Sequence, residues 1–191
     1  MKLKTVLLAA ALGAVTLLAR AEPAAYAIDP SHTTVVWEAL HSGTSTLRGR
    51  FAVKEGTVTF DRAGKTGKAD ITIDTNTLSV PPANFERHVK SPELLNVAAF
   101  PTARFVSDSF TFDGDKVTAV PGQLTLLGKT LPVTLQAVRF NCYQHGMLKR
   151  EVCGGDFETT LPRSQFGITY GPQAAADGVK LLIQIEAIKQ Q

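Results

Sequence analysis

From residue 33 onward, most of the chain alternates between apolar and polar side chains with the two-residue period of a half-buried β-strand. Over residues 179–187 the odd-numbered positions are Val, Leu, Ile, Ile and Ala, whereas Lys180, Gln184 and Glu186 lie on the opposite face. One apolar and one wet face are typical of antiparallel sheets. Turn sequences rich in Gly and Asp separate the strand-like segments, which predicts an all-β barrel or sandwich. The predicted strands span residues 33–41, 47–60, 68–80, 104–112, 116–127, 132–143, 153–161 and 179–187.

Residues 84–107 interrupt this pattern. Asn84 is a suitable helix cap, and apolar or aromatic residues recur at helical spacing over positions 85–95. Pro92 disfavours one straight helix, so we predict two short turns with a kink at Lys90–Ser91. A helical segment inserted between two strands must cross an edge or an open end of the sheet. We therefore expect this segment to lie beside a ligand.

The first residues have the features of an export signal. Two lysines precede an uncharged apolar run over residues 5–18, and the small-residue sequence Ala19-Arg20-Ala21 follows. The run is shorter than the roughly 18–20 apolar residues of a membrane-spanning helix. We predict that residues 1–21 are a signal peptide cleaved before Glu22, with Ala25-Tyr26-Ala27 as a second candidate cleavage site. An uncleaved membrane anchor is the alternative.

Removing this leader changes the charge of the chain. The full sequence has 20 Lys and Arg against 17 Asp and Glu, and the leader contains three basic residues and no acidic residue. The mature chain, residues 22–191, is therefore neutral by side-chain count and has the length of one domain. The positive surface that binds nucleic acid is missing, and no basic run suggests a membrane-surface site. We expect a periplasmic or secreted protein that binds no nucleic acid and is not stably inserted in a membrane.

Cys142 and Cys153 are the only two cysteines. In an exported chain such a pair predicts a disulfide, which here would join the two sides of a hairpin. A metal site formed by Cys142, His145 and Cys153 is the alternative, but it lacks a nearby fourth ligand. A redox-active pair is disfavoured because the spacing is not that of a C-x-x-C motif.

Short motifs follow one another along the whole mature chain. They are Ile28-Asp29-Pro30-Ser31-His32-Thr33, His41, Gly49-Arg50-Phe51, Arg87-His88-Val89-Lys90-Ser91, Phe100-Pro101 with Phe105 and Ser107, residues 122–128 with Pro132-Val133, and Arg163-Ser164-Gln165-Phe166-Gly167-Ile168. This ordered series resembles the YceI-like family. The resemblance implies a secreted or periplasmic lipocalin-like barrel of eight antiparallel strands, with one inserted kinked helical segment, that holds a long polyisoprenoid or related amphiphile in its bore. Leu94-Leu95-Asn96 stands where the family often has Phe-Phe-Asp, and Pro81-Pro82 tightens the approach, so the pocket should differ in shape.

Candidate ligand-binding residues follow from the inward faces of the strands and from the helical segment. An eight-stranded barrel has an interior that side chains fill or that holds one small ligand, and alternation alone fits both. Four polar residues, His41, Arg87, His88 and Lys90, are candidates for contact with a ligand head group; the alternative is that they are solvated or structural. The candidate bore residues are Phe51, Ile71, Ile73, Phe85, Val89, Leu94, Leu95, Phe105, Leu124, Leu126, Val133, Leu135, Phe157, Leu181 and Ile183.

Motifs of known catalytic sites are absent from the sequence. It has no G-x-S-x-G, H-E-x-x-H or phosphate-loop motif. The run Asp29-Pro30-Ser31-His32 is interpreted as a turn in which Asp29 occupies an Asx position. We therefore expect a non-catalytic binding protein for a polyisoprenoid, an isoprenoid quinone or a similar long-chain amphiphile, without a cofactor. The alternatives are an interaction or stress protein with a self-filled barrel that acts through a partner protein, and an enzyme that acts on a bound lipid. A homodimer is compatible with the resemblance.

Overall fold

The computed structural model describes residues 23–191 with the exception of Pro172, so the predicted signal peptide, residues 1–21, lies outside the described residues. Within this range the chain forms ten strands, one α-helix and one turn of 3-10 helix at Thr75–Thr77. No helix in this part of the chain combines the length and the apolar character needed to span a membrane. The elements are β1 (Ala24–Ile28), β2 (Thr34–His41), β3 (Ser45–Asp61), β4 (Thr66–Asp74), α1 (Ala83–Lys90), β5 (Thr102–Ser107), β6 (Thr111–Asp113), β7 (Lys116–Leu126), β8 (Lys129–Gln144), β9 (Glu151–Pro162) and β10 (Ala175–Lys189).

Eight of the strands form a closed antiparallel barrel in the order β2-β3-β4-β5-β7-β8-β9-β10, and β10 pairs with β2 to complete the ring. The eight-stranded antiparallel barrel predicted from the sequence is confirmed. Because the ring is closed, each of its eight strands pairs with a neighbour on both sides, and the barrel lacks the exposed edge strands of an open sheet.

The other two strands are short and were not predicted. β1 occupies the same place in the barrel as β2, because both pair with β3 and β10 at different heights. β6 overlaps the end of the predicted strand 104–112. That strand breaks at Ser107, whose hydroxyl lies 2.8 and 2.7 Å from the carbonyl oxygens of Ser109 and Pro121, its two hydrogen-bond acceptors. A side chain that bonds to local backbone in this way competes with regular strand pairing.

The strand predicted over residues 68–80 is shorter in the structure. β4 ends at Asp74, whose carboxylate accepts a hydrogen bond of 2.9 Å from the backbone N–H of Asn76. This cap starts the 3-10 turn, and the chain then leaves the barrel wall toward α1. The prediction of strand beyond residue 74 was therefore wrong, apart from one isolated bridge between Ser79 and Arg50.

The segment from Ala83 to Pro101, called the lid segment below, contains α1 and the turns that follow it. The helix begins after Pro82 rather than at Asn84, and it ends at Lys90, where the break was predicted. Residues 91–99 form hydrogen-bonded turns instead of a second helix; the N–H of Leu95, for example, donates to the carbonyl of Val89 at 3.1 Å. The lid segment connects β4 to β5 across one end of the barrel.

The opposite end of the barrel is closed by aromatic packing. Phe60 stacks on Phe112 at a centroid separation of 5.8 Å and meets Phe140 edge-on at 5.6 Å. Tyr26, from β1, packs against the same ring. We call this the closed end, and the end under the lid segment the mouth.

A disulfide joins Cys142 on β8 to Cys153 on β9, as predicted. The two residues are directly opposite each other in the hairpin that extends from the closed end. The metal alternative requires both sulfurs as thiolates, whereas the structure joins them to each other.

Candidate ligand-binding cavity

The barrel encloses a cavity of about 440 Å³ that extends from the middle of the barrel to the mouth. This main cavity is bounded by side chains from all eight barrel strands, by the lid segment and by the loop of residues 163–174, called the mouth loop. Its volume lies within the roughly 300–1,000 Å³ range of small-molecule sites. The barrel is therefore not filled by its own side chains.

Inward strand positions and the apolar face of the lid segment form most of the wall. Every candidate bore residue except Phe157 lines the main cavity. Alternation indicated the inner face for the strand residues among them, whereas Phe85, Val89, Leu94 and Leu95 came from the apolar positions of the helical segment. The candidate residues that line the main cavity are Phe51, Ile71, Ile73, Phe85, Val89, Leu94, Leu95, Phe105, Leu124, Leu126, Val133, Leu135, Leu181 and Ile183.

Phe157 lies deeper than the main cavity. It lines a second space of about 80 Å³ near the closed end, together with Phe60 and Val117. Alternation indicates which face of the sheet a side chain occupies but not its height along the barrel, which explains this difference. We call this space the inner cavity.

Glu86 is the centre of the polar contacts within the lid segment and with the chain that leads into it. Val80 donates its backbone N–H to the Glu86 carboxylate at 3.3 Å, and the Lys90 ammonium donates to the same carboxylate at 2.8 Å. The hydrogen bond from Lys90, followed by that from Val80, lowers the pKa of Glu86. Lys90 is thus paired within the helix and does not line the cavity, and neither does the exposed Arg87.

The other two head-group candidates, His41 and His88, do line the main cavity. The imidazole of His88 meets the ring of Tyr170 edge-on at a centroid distance of 5.1 Å, and its Nδ1 is 3.5 Å from a carboxylate oxygen of Glu93. His88 belongs to the lid segment and Tyr170 to the mouth loop. Their contact joins the two sides of the mouth.

Arg163 organises the mouth loop and was not among the candidate site residues. Its side chain is buried, and it donates to five backbone carbonyls at 2.8–3.3 Å. These bonds engage all five N–H groups of the guanidinium, so Arg163 has no donor left for a ligand. Its position directly after a strand, at the start of the motif Arg163–Ile168, was the available sequence signal. The accepting carbonyls belong to Ile168, Tyr170, Gly171, Ala175 and Ala176.

Trp37 is the single tryptophan of the chain and forms part of the cavity wall. Its ring lies flat over Gly49 on the neighbouring strand, where a Cβ atom would be only 2.6 Å from the indole nitrogen. Among the described residues, the Trp37 N–H has no hydrogen-bond partner. Val35, Trp37 and Ala39 alternate on β2, so the same rule that found the other wall residues would have found these three.

The chemistry of the lining is almost entirely apolar. In the described part of the chain, the cavity lining contains no carboxylate and no lysine. Its polar groups are concentrated in His41, His88, Tyr170, two threonines and the internally bonded Arg163. Such a site can exclude water from a hydrocarbon chain and offer hydrogen bonds near the mouth.

Comparison with known proteins places this arrangement in a family. Residues 26–187 match the model of the YceI-like domain. The chain belongs to the YceI-like family. Among its relatives, a UPF0312 protein of Pseudomonas putida is 37% identical over 194 residues, covering 99% of this chain and 100% of the relative. Protein YceI of Salmonella heidelberg is 35% identical over 171 residues, 88% of each chain.

Solved structures share the YceI-like barrel. Burkholderia cenocepacia BcnA superposes with a TM-score of 0.63 and 22% identity over 83% of this chain and 98% of its own. A domain from Saccharophagus degradans, described as polyisoprenoid binding, superposes with a TM-score of 0.57 and 12% identity, covering 87% of this chain and 99% of that domain. At these identities the likeness establishes the lipocalin-like fold.

Proposed function

We propose that this YceI-like protein is an exported, non-catalytic carrier that holds the hydrocarbon chain of a polyisoprenoid, an isoprenoid quinone or a similar amphiphile. The observation that carries the proposal is the open, almost wholly apolar main cavity of about 440 Å³. The description of the Saccharophagus domain as polyisoprenoid binding supports the same ligand class. Transport, storage and sequestration are all compatible with a carrier of this kind.

Hydrocarbon burial can supply the affinity without an ion pair. Each CH₂ group removed from water contributes roughly 0.8 kcal/mol, so a chain of about a dozen carbons gains on the order of 10 kcal/mol. Ordering the ligand and losing its free motion cost about 4–15 kcal/mol. Net binding therefore requires that most of the chain is inside the barrel.

The polar end of the ligand is assigned to the mouth. His41 and His88 are the two head-group candidates that border the main cavity, and Tyr170 adds a hydroxyl beside His88. A quinone carbonyl, a hydroxyl or a phosphate could accept hydrogen bonds from these groups. Lys90 is paired with Glu86 and is left out of this assignment.

Export is supported by the leader sequence and by the disulfide. Residues 1–21 have the pattern of a signal peptide, and Cys142 is bonded to Cys153. Stable disulfides form mainly in the periplasm and outside the cell. We propose that the mature domain, residues 22–191, works in one of these compartments.

The first test is extraction and native mass spectrometry of the protein, followed by titration with long-chain prenols or fatty acids. Trp37 forms part of the cavity wall, so its fluorescence should change as a chain enters. A stoichiometric long-chain lipid, or saturable binding of such a probe, is expected. An empty protein that binds none of the probes would contradict the proposal.

The second test places a carboxylate in the cavity wall. Leu95→Asp should weaken binding at least about tenfold, because an ionised group disfavours burial beside hydrocarbon. Leu95 is only partly buried, so the barrel should still fold. Val138→Asp introduces the same side chain at a position that is 59% exposed and does not line the cavity, and it should bind normally. Wild-type affinity in a folded Leu95→Asp variant would show that the chain binds elsewhere.

A further inference from the structure

The interior of the barrel is divided into two spaces along its length. The main cavity reaches the mouth, and the inner cavity of about 80 Å³ lies toward the closed end. Five residues contact both spaces and so form the floor between them. They are Ile71, Phe105, Leu135, Ile183 and Ile185.

Phe105 is the one aromatic residue of this floor, and its ring has little freedom to move. It is 6% exposed, and its neighbour across β7 is Leu124. The ring also covers Gly122, where a Cβ atom would be 2.5 Å from the Phe105 Cζ atom. A side chain that fills the space above a glycine cannot turn aside without leaving a void, which is unfavourable in a packed core.

The volume above this floor limits the length of chain that fits. A methylene group needs about the space of one water molecule in the liquid, roughly 30 Å³. The main cavity of about 440 Å³ therefore holds on the order of fifteen chain atoms. A longer chain must either leave carbons in the water at the mouth or displace the floor.

We propose that this barrel selects its ligand by chain length, with Phe105 as the stop against which the buried end of the chain rests. This inference rests on the carrier function proposed above and makes it more specific. The preferred class is an amphiphile whose hydrocarbon part has about fifteen carbons, the size of three isoprenoid units. The inner cavity is then space that the wild-type ligand does not enter.

The test measures the affinity of a series of straight-chain fatty acids, from about eight to about twenty-four carbons, by Trp37 fluorescence. In the wild-type protein, affinity should rise with each added carbon up to about fifteen and then stop rising. Phe105→Ala should join the two cavities and move this limit to longer chains by several carbons. The affinity for the longest acids should then increase at least about tenfold over the wild type.

Phe157→Ala is the matched control. Phe157 is as buried as Phe105, at 7% exposure, but it lines only the inner cavity. The substitution removes the same ring from the core and should leave the length limit unchanged. Ala103→Leu adds bulk to the wall of the main cavity and should shorten the limit by about three carbons.

The outcomes separate the two proposals. A length limit that moves in Phe105→Ala and not in Phe157→Ala supports the proposal that Phe105 stops the buried end of the chain. Binding of fatty acids with no length limit, or with a limit that Phe105→Ala leaves unchanged, overturns length selection and leaves the carrier intact. A wild-type protein that binds no acid of the series and no prenol overturns the carrier proposal as well. If Phe105→Ala does not fold, Phe105→Leu provides the smaller enlargement and the same comparison.

Discussion

At the scale of single residues, the turn between β1 and β2 is held by one carboxylate. Asp29 accepts a hydrogen bond of 2.9 Å from the N–H of Ser31 and lies 2.8 Å from Nδ1 of His32. The hydrogen bond with His32, followed by that with the Ser31 side chain, lowers the pKa of Asp29 to about 2. The same contact raises the pKa of His32. The interpretation of Asp29 as an Asx-turn residue is confirmed.

The pair should stabilise the fold only within a pH window. Because the pKa of His32 is raised in the folded state, its protonation stabilises the fold fully below the pKa of about 6.5 that it has in the unfolded state. This contribution disappears as the pH rises through the folded-state pKa. A lowered Asp29 pKa favours folding above about 4 and is lost as the pH falls toward 2. The stability difference between wild type and His32→Gln should therefore be largest at about pH 4–6.5 and smaller at pH 8. Urea unfolding across this range measures it.

A double-mutant cycle provides the control for this prediction. In the background of Asp29→Asn, the effect of His32→Gln should lose most of its pH dependence, because the main partner charge is gone and only the weaker attraction of Glu186 remains. A His32→Gln effect that keeps its pH profile without Asp29 would assign the dependence to another group.

The site residues also show what sequence reasoning can supply at this scale. Alternation identifies the inner face of a strand, which is why Ile71 and Leu181 lie on the cavity wall as expected. It carries no information on depth, so it could not show that Phe157 lines the inner cavity instead of the main one. The hydrogen bonds of Arg163 to five carbonyls depend on how the mouth loop folds back, which local sequence does not indicate. The ion pair between Lys90 and Glu86 joins residues one helical turn apart, so local sequence could have suggested it.

At the scale of elements, the disulfide joins the two strands of the β8–β9 hairpin, and Glu151 connects this hairpin to the closed end. Glu151 accepts hydrogen bonds of 2.6 Å from the Tyr26 hydroxyl and from the Arg62 guanidinium. Burial alone would raise the pKa of Glu151, but these two hydrogen bonds lower it overall. Burial, and then the contact with Glu151, raises the pKa of Tyr26. The hairpin is thereby connected to β1 and to the β3–β4 turn.

Removing the disulfide should lower stability without changing the ligand site. Closing so short a loop contributes roughly 2–3 kcal/mol in the chain-entropy model. Cys142→Ser with Cys153→Ser should reduce the free energy of unfolding by about this amount, measured in urea, and reduction of the wild type should have the same effect. Because the pair lies at the closed end, lipid affinity should remain within about twofold of the wild type. A folded variant that no longer binds would show that the hairpin acts on the main cavity.

The position of the lid segment was easier to predict than its boundaries. Its interruption of the strand pattern predicted that it crosses an edge or an open end of the sheet, and in the structure it contributes to the wall of the main cavity at the mouth. Its cap was assigned to Asn84, although the helix begins after Pro82. Pro82 precedes the helix with an extended backbone, and its carbonyl accepts the first hydrogen bonds, from the N–H groups of Phe85 and Glu86. The helix therefore starts before Asn84 and without a side-chain cap.

At the scale of the whole molecule, a cavity that is open at one end couples ligand binding to folding. A ligand that binds only the closed barrel adds a stability of RT ln(1 + [L]/Kd), about 2.7 kcal/mol at a free concentration of 100 Kd. The melting temperature should therefore rise steadily with the concentration of a long-chain fatty acid. The Leu95→Asp variant should lose most of this rise, whereas Val138→Asp should keep it. A melting temperature that does not depend on lipid in the wild type would contradict binding to the native barrel.

The closed eight-stranded architecture was predictable because strand number, antiparallel alternation and the family resemblance agree. The open volume was not, because it depends on how the side chains of all eight strands meet in the centre. A single floor residue such as Phe105 changes that volume by an amount that alternation cannot indicate. The strand pattern and the family resemblance together thus predicted the barrel, whereas the volume of its cavity required the structure.

The sharing of one barrel position by β1 and β2 has a consequence for maturation of the chain. Processing after Ala21 leaves Ala24–Ile28 intact, so the position between β3 and β10 is filled along its whole length. Processing at the second candidate site, after Ala27, would remove most of β1 together with the buried Tyr26. Residues 57–60 of β3 and 187–189 of β10 would then present unpaired N–H and C=O groups. Such an edge can recruit strands from other molecules. For the export proposed above, cleavage after Ala21 would therefore leave a barrel whose strands stay paired, whereas cleavage after Ala27 would leave a chain prone to self-association.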